Sequence, residues 1–296
     1  MIHRNVTNFG GDEVQPVDFE NADIVVLPVC YESAPSYGTG SGMGAYHVLE
    51  ASVQLERIDE ETLLDWGSFK IHTLPVLIPE GKPKEAVKQI KTAAESVIRR
   101  GKYLLCIGGD HAVSIGPILA ACEAHPGLGV LQIDAHLDLR DRWNSSPYNH
   151  ACVMRRVTEA TDAPIVQVGI RAICREELGL IQDKRFTTFY AHGIDPLNDS
   201  WLERVVEALP EKVYMTIDLD GLDPSVVPGT GTPEPGGLSY RQLVDLIRAV
   251  GRKRRVIAAD ITELVKIKGF QVSEYTAARI ATKLFVYHFN KPLENR

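Results

Sequence analysis

The sequence predicts an α/β fold of three layers, with helices on both faces of a mostly parallel sheet of about eight strands. Short runs rich in Val, Ile, Leu or Tyr recur along the 296 residues. Each run is apolar throughout rather than alternating, as strands buried on both faces are. Amphipathic stretches of helical period separate the runs, and that alternation favours a parallel sheet covered on both sides.

In chain order the predicted strands are Ile24–Pro28, Tyr103–Ile107, Gly129–Ile133, Ile165–Val168, Phe186–Tyr190, Val213–Ile217 and Arg255–Ala258. The first long helix is predicted over Lys84–Arg100, where Ala86/Val87, Ile90, Ala93/Ala94 and Val97/Ile98 recur every three to four residues. Ser114–Ala124, Trp201–Leu209, Tyr240–Val250 and Ser273–His288 read the same way. Pro79–Pro83 reads as a loop before a helix. With no internal repeat or linker, 1–296 is expected to be one domain.

Composition narrows the function classes. At 44% hydrophobic and 24% charged, the chain can bury a large core. A net charge of −7 disfavours nucleic acid as a partner and suits a cationic one. The five cysteines, Cys30, Cys106, Cys122, Cys152 and Cys174, form no C-x-x-C pair and read as reduced, buried thiols. The N-terminus has no apolar signal core, and no apolar run reaches membrane-spanning length. A cytoplasmic protein is the expectation, with no membrane partner.

Four strand ends carry the chemistry. Ile107 leads into G-G-D-H, Ile133 into D-A-H-L-D, Ile217 into D-L-D-G-L-D, and the run ending at Ala258 into A-D-I-T-E. In a parallel sheet, ligands bind beyond the carboxyl ends of the strands, so these clusters are expected to converge. Asp134, His136 and Asp138 stand at i, i+2 and i+4, and in extended chain they point to one side. Asp218 and Asp220 repeat the spacing, and His111 adds an imidazole. Four carboxylates and two imidazoles favour hard or borderline divalent ions such as Mn²⁺ over structural zinc. Six ligands suit two ions about 3.5–4 Å apart with a water between them. Asp110 is expected to orient a metal-bound histidine, and Asp223 to serve turn chemistry.

These motifs resemble the ureohydrolases, the family of arginase, agmatinase and formiminoglutamase, and are most similar to agmatinases. The resemblance rests on G-G-D-H-A-V-S-I-G (108–116), D-A-H-L-D (134–138), N-H-A-C-V-M-R-R (149–156), I-D-L-D-G-L-D-P (217–224) and P-G-T-G-T-P-E-P-G-G-L (228–238). Y-E-S-A-P-S-Y-G-T-G resembles the family's substrate-rim loop more loosely. The resemblance implies an arginase-like fold and two Mn²⁺ per chain. One ion would be held by His111, Asp134, Asp138 and Asp218, and the other by Asp134, His136, Asp218 and Asp220. Asp134 and Asp218 would serve both. It further implies a proton-shuttling His150, a guanidinium-binding Glu263, a pocket-lining Thr232, and a homotrimer or hexamer.

The implied reaction converts a guanidino group to urea and an amine, with agmatine to putrescine leading and polyamine synthesis as its setting. Asp138 would take a proton from the attacking water, and His150, with an ordinary pKa near ~6.5, would pass one to solvent. Glu263 would orient the guanidinium through charge-assisted hydrogen bonds. Guanidinobutyrate, another guanidino acid or arginine are alternative substrates. A deacetylase-like amidohydrolase and a non-catalytic binding protein are alternative classes. Two departures from the family pattern are Ala151, where arginases carry Gly, and L-V-K-I-K-G-F after Glu263, where the family often carries Pro. Gly40, Gly42 and Ala45 match G-x-G-x-x-A, but Val29–Thr39 separate them from the strand, so a mobile rim is expected there rather than a dinucleotide site.

Overall fold

The computed structural model of the chain describes residues 8–289. Eight strands form one sheet: β1 (Ile24–Pro28), β2 (Ile71–Thr73), β3 (Tyr103–Ile107), β4 (Gly129–Ile133), β5 (Ile165–Ile170), β6 (Phe186–Tyr190), β7 (Lys212–Asp218) and β8 (Arg255–Thr262). Their order is β2-β1-β3-β8-β7-β4-β5-β6, and every pairing is parallel. Helices on both faces complete the expected three-layer fold.

Among the described residues, seven α-helices cover the sheet: α1 (Gly44–Ser52), α2 (Pro83–Ile98), α3 (Ile115–Ala124), α4 (Val153–Ala160), α5 (Ser200–Ala208), α6 (Tyr240–Lys253) and α7 (Val272–Phe289). One apolar core lies between the sheet and α1, α5, α6 and α7, and a second between the sheet and α2, α3 and α4. Local chemistry sets the helix ends. Pro83 opens α2, where its missing N–H has no role. Ser239 caps α6 in a reciprocal pair with Gln242.

Four elements differ most from the sequence reading. β2 has only three residues at the sheet edge, too short to show a period. The short helices α1 and α4 follow glycine-rich and histidine-bearing loops that hide their start. β8 runs on to Thr262 rather than stopping at Ala258, so Asp260 lies inside the sheet. That burial is tolerated because Tyr214 and Thr216 hydroxyls donate to its two oxygens, each at 2.7 Å.

Candidate metal centre

The four strands whose ends carry the polar motifs are neighbours at the middle of the sheet: β3, β8, β7 and β4. The chain builds β3 and β4 apart and later inserts β7 and β8 between them. Loops that leave these strands therefore face one crevice. Glycines allow the close packing there. A side chain at Gly109 would place its Cβ 1.7 Å from the Tyr31 carbonyl oxygen, and one at Gly221 would come 2.8 Å from the Asp134 nitrogen.

His111 Nδ1 lies 2.7 Å from Asp138 Oδ2, 3.2 Å from Asp134 Oδ2 and 3.4 Å from Asp218 Oδ2. His136 Nδ1 lies 3.1 Å from Asp220 Oδ2 and 3.6 Å from Asp134 Oδ1. Ligand atoms of His111, Asp134 and Asp218 lie within 4.8 Å of one another, as do those of Asp134, His136 and Asp220. Asp134 thus turns one oxygen to each histidine. Asp218, expected to be shared as well, joins the His111 group, and its Oδ1 accepts the Asp220 N–H at 2.9 Å.

The simple strand alternation expected for 134–138 does not hold. β4 ends at Ile133, and Asp138 reaches the cluster with φ of 55°. A left-handed residue outside glycine is uncommon, and here it brings the carboxylate back toward His111.

Asp134, Asp138, Asp218 and Asp220 are all buried. Burial, then the neighbouring Asp134 charge, pushes the Asp138 carboxyl up to about 7. Burial, Asp220 and Asp134 push Asp218 well above the usual range. Burial would also raise Asp134, but its bonds to His111 and His136 hold it far below. Burial would lower both imidazoles, yet Asp220 and Asp134 push His136 up to about 12, and Asp134 and Asp138 raise His111 strongly. Without metal, the cluster must retain protons to offset repulsion between carboxylates. Divalent cations suit that demand, and oxygen with imidazole is the donor set for a hard or borderline ion. The residues fit the binuclear centre that the fold implies.

The support around the ligands was not visible in the sequence. His111 Nε2 meets Thr216 Oγ1 at 2.9 Å, and that hydroxyl donates to buried Asp260. Thr216 and Asp260, not Asp110, therefore orient His111. Asp110 Oδ2 instead accepts the Ser33 N–H at 2.8 Å, and its carboxyl is pushed up to about 7, chiefly by burial. Gln132 donates to Asp134 Oδ2 at 2.7 Å. The Arg171 guanidinium donates to the carbonyls of Gly169, Asp220, Gly221, Leu222 and Glu234, tying the Asp220 loop to the loop that bears Thr232. Asp223 performs turn chemistry, accepting from Ser225, Gly236 and Gly237.

A cavity of about 320 Å³ opens over the cluster, and His150, Thr232 and Glu263 line it. Glu263 sits at φ of 65°, and its Oε1 accepts the His111 N–H at 2.7 Å. Burial and nearby Asp110 raise its carboxyl well above the ordinary range. Thr232 Oγ1 lies 3.1 Å from Asp220 Oδ2 and donates to it. Asn149 caps the turn that starts at His150 by accepting the Ala151 N–H at 3.1 Å. Burial and the positive His111 and His136 push His150 down to about 4, away from the ordinary value expected for a shuttle. The glycine-rich turn at 40–42 takes no outside anion, because the Glu32 carboxylate accepts from Gly40 and Gly42. All five cysteines are free thiols, although Cys30, Cys122 and Cys174 are only partly buried. No helix among the described residues is long and apolar enough to cross a membrane.

A sequence model of the arginase family matches residues 22–286. The chain is 38% identical over 281 residues to an N(1)-aminopropylagmatine ureohydrolase of Synechocystis sp., covering 91% of this chain and 90% of that one. It is 32% identical over 278 residues to an agmatinase of Pyrococcus horikoshii, covering 92% and 93%. The solved structure of a putative agmatinase from Clostridium difficile superimposes with a TM-score of 0.84 at 28% identity, covering 92% of this chain and 98% of that one.

Proposed function

The chain belongs to the arginase family and is a ureohydrolase, a hydrolase of C–N bonds in amidines; on that premise we propose that it converts an agmatine-type guanidine to urea and an amine at two Mn²⁺ ions. The observation that carries this reading is Asp134, whose two oxygens face two separate histidine–carboxylate groups. One group would be held by His111, Asp134, Asp138 and Asp218, and the other by Asp134, His136, Asp218 and Asp220. When bound, two divalent ions supply a water ionised at neutral pH and positive charge against the oxygen added to the guanidino carbon.

The chain's own residues do the rest. Glu263 Oε1 is tied to the His111 N–H, which leaves Oε2 and the remaining lone pairs for guanidinium N–H groups. Thr232, bound to Asp220, closes the wall beside it. Water adds to the guanidino carbon, and the Asp138 carboxylate accepts its proton. His150, neutral near pH 7 because its proton affinity is depressed, relays a proton toward the departing amine nitrogen. The C–N bond then breaks, so guanidinium and water become urea and an ammonium, with charge conserved.

The amine defines the substrate. Agmatine would release putrescine, and an N(1)-aminopropyl agmatine would release the correspondingly longer polyamine. The relative at 38% identity is named for the longer substrate and the one at 32% for agmatine, which favours including both. The test is urea release from agmatine, N(1)-aminopropylagmatine, guanidinobutyrate and arginine in defined Mn²⁺, with metal counted per chain. Release from the first two is expected. One metal per chain with amide hydrolysis would favour the deacetylase-like alternative, and no release from any guanidine would favour a binding protein. One sheet with a core on each face supports treating 1–296 as a single ureohydrolase domain, and the family resemblance is what implies a cytoplasmic trimer or hexamer serving polyamine synthesis.

A further inference from the structure

Two loops outside the metal cluster meet over the mouth of the cavity. One follows β1 and carries Ser36; the other follows β4 and carries Trp143. Three strands, β3, β8 and β7, separate β1 from β4, so this contact bridges the breadth of the crevice. Trp143 Nε1–H donates to Ser36 Oγ at 2.9 Å, and Ser36 Oγ lies 2.8 Å from His150 Nε2. Asn144 and Asn149 reinforce the junction by donating to the Ala34 carbonyl at 3.2 and 3.3 Å.

An indole N–H can only donate, so the serine oxygen must accept it. The serine keeps one proton and one further lone pair, and His150 Nε2 takes up that remaining capacity. Among the described residues, this is the one hydrogen bond to the His150 ring. Nδ1 is buried and has no partner. Asn149 fixes the backbone at the start of the turn, but it does not reach the ring. Without Ser36, the imidazole would be held only by packing, and its side-chain torsions would be free to sample other wells.

We propose that Ser36, held by Trp143, is a positioning residue for His150: it commits Nε2 to the rim contact and so fixes the orientation of the imidazole beside the cavity. This deepens the reading of His150 as a proton relay and rests on it. The rim loop then does more than shape the entrance. Its closure and the aim of the relay become one event, because displacement of residues 31–40 removes the contact that orients the ring.

The test uses the full-length Mn²⁺-loaded protein and the variants S36A, S36T and W143F. S36A and W143F are expected to lower kcat on the order of 10-fold, with KM within about 2-fold and unchanged metal content, because a misaimed proton relay slows turnover without weakening ground-state binding. S36T retains the hydroxyl and is expected to stay within about 3-fold of the parent chain. Added to H150N, S36A should cost nothing further, since the two act as a unit. A parental kcat in S36A, equal losses in S36T and S36A, or an undiminished loss on top of H150N would each overturn the proposal. Failure of the parent chain to release urea would sink the reaction reading instead. In that event a crystal structure of S36A still decides the positional claim: a displaced or split His150 ring upholds it, and an unchanged single rotamer overturns it.

Discussion

Two of the places where the protein clusters acidic residues neutralise them differently. At the crevice, Asp134, Asp138, Asp218 and Asp220 surround two imidazoles. On the face covered by α6 and α7, buried Asp59, partly buried Glu61 and the exposed Glu60 surround Lys283, whose side chain is 0% exposed. Lys283 Nζ lies 2.5 Å from Asp59 Oδ2 and 3.0 Å from Glu60 Oε1. Glu61 also meets Arg241, Arg248 and the Tyr287 hydroxyl. The second cluster carries its own cations in the chain. Burial would raise Asp59, but the Lys283 ammonium and Thr62 hold it below its ordinary value, whereas at the crevice Asp138 is pushed up to about 7. Acids matched by covalently attached cations stabilise a fold; acids left in excess are suited to an exchangeable ion.

The largest test of that contrast is Asp134→Asn. It is expected to remove most bound metal and to lower urea release roughly 10³-fold or more, several kcal/mol of lost charge stabilisation. Retention of two metals per chain would break the assignment of Asp134 to both groups. Lys283→Met should do the converse. Removing one partner of a buried ion pair costs about 3–5 kcal/mol, so the denaturation midpoint should drop while metal stoichiometry is kept. An unchanged midpoint would show that the Asp59–Glu61 cluster does not depend on its lysine.

Thr216→Val probes the support of the crevice rather than its ligands. Loss of the hydroxyl between His111 and Asp260 should weaken Mn²⁺ binding roughly 10–100-fold, while Thr216→Ser restores it. Titration calorimetry separates the two outcomes. The smallest effect is in pH. Asp59, Glu60 and Glu61 are all held below their ordinary values, so their contribution is fully present above the unfolded carboxylate pKa of about 4 and is lost as pH falls through the lower folded values. Unfolding midpoints measured below pH 5 should therefore fall with acid, and Lys283→Met should flatten the fall. Equal slopes in both proteins would remove Lys283 as the cause.

The ligand-type residues were legible in the sequence because Asp and His directly after apolar runs are chemically conspicuous, and a parallel sheet gathers its strand ends. Thr216 and Asp260 were not, since a threonine inside an apolar run reads as ordinary strand and Asp260 reads as the loop after one. Lys283 was hidden for a similar reason: a lone lysine in a helix usually faces water, and only the arrival of Asp59 from a distant loop makes it internal. The left-handed turns at Asp138 and Glu263 depend on tertiary packing, not on local propensity. Ser36 and Trp143 lie in loops where nothing periodic reports a partner 107 residues away.

The order of the sheet has a consequence for biosynthesis. Its two central strands come from residues 212–218 and 255–262, so the middle of the sheet is completed last. A nascent chain lacking those residues leaves a gap two strands wide between β3 and β4, with His111 and Asp134 on opposite banks. Assembly of the complete ligand cluster must then follow translation of β7, which brings Asp218 and Asp220 between the two banks, rather than guide the earlier strands.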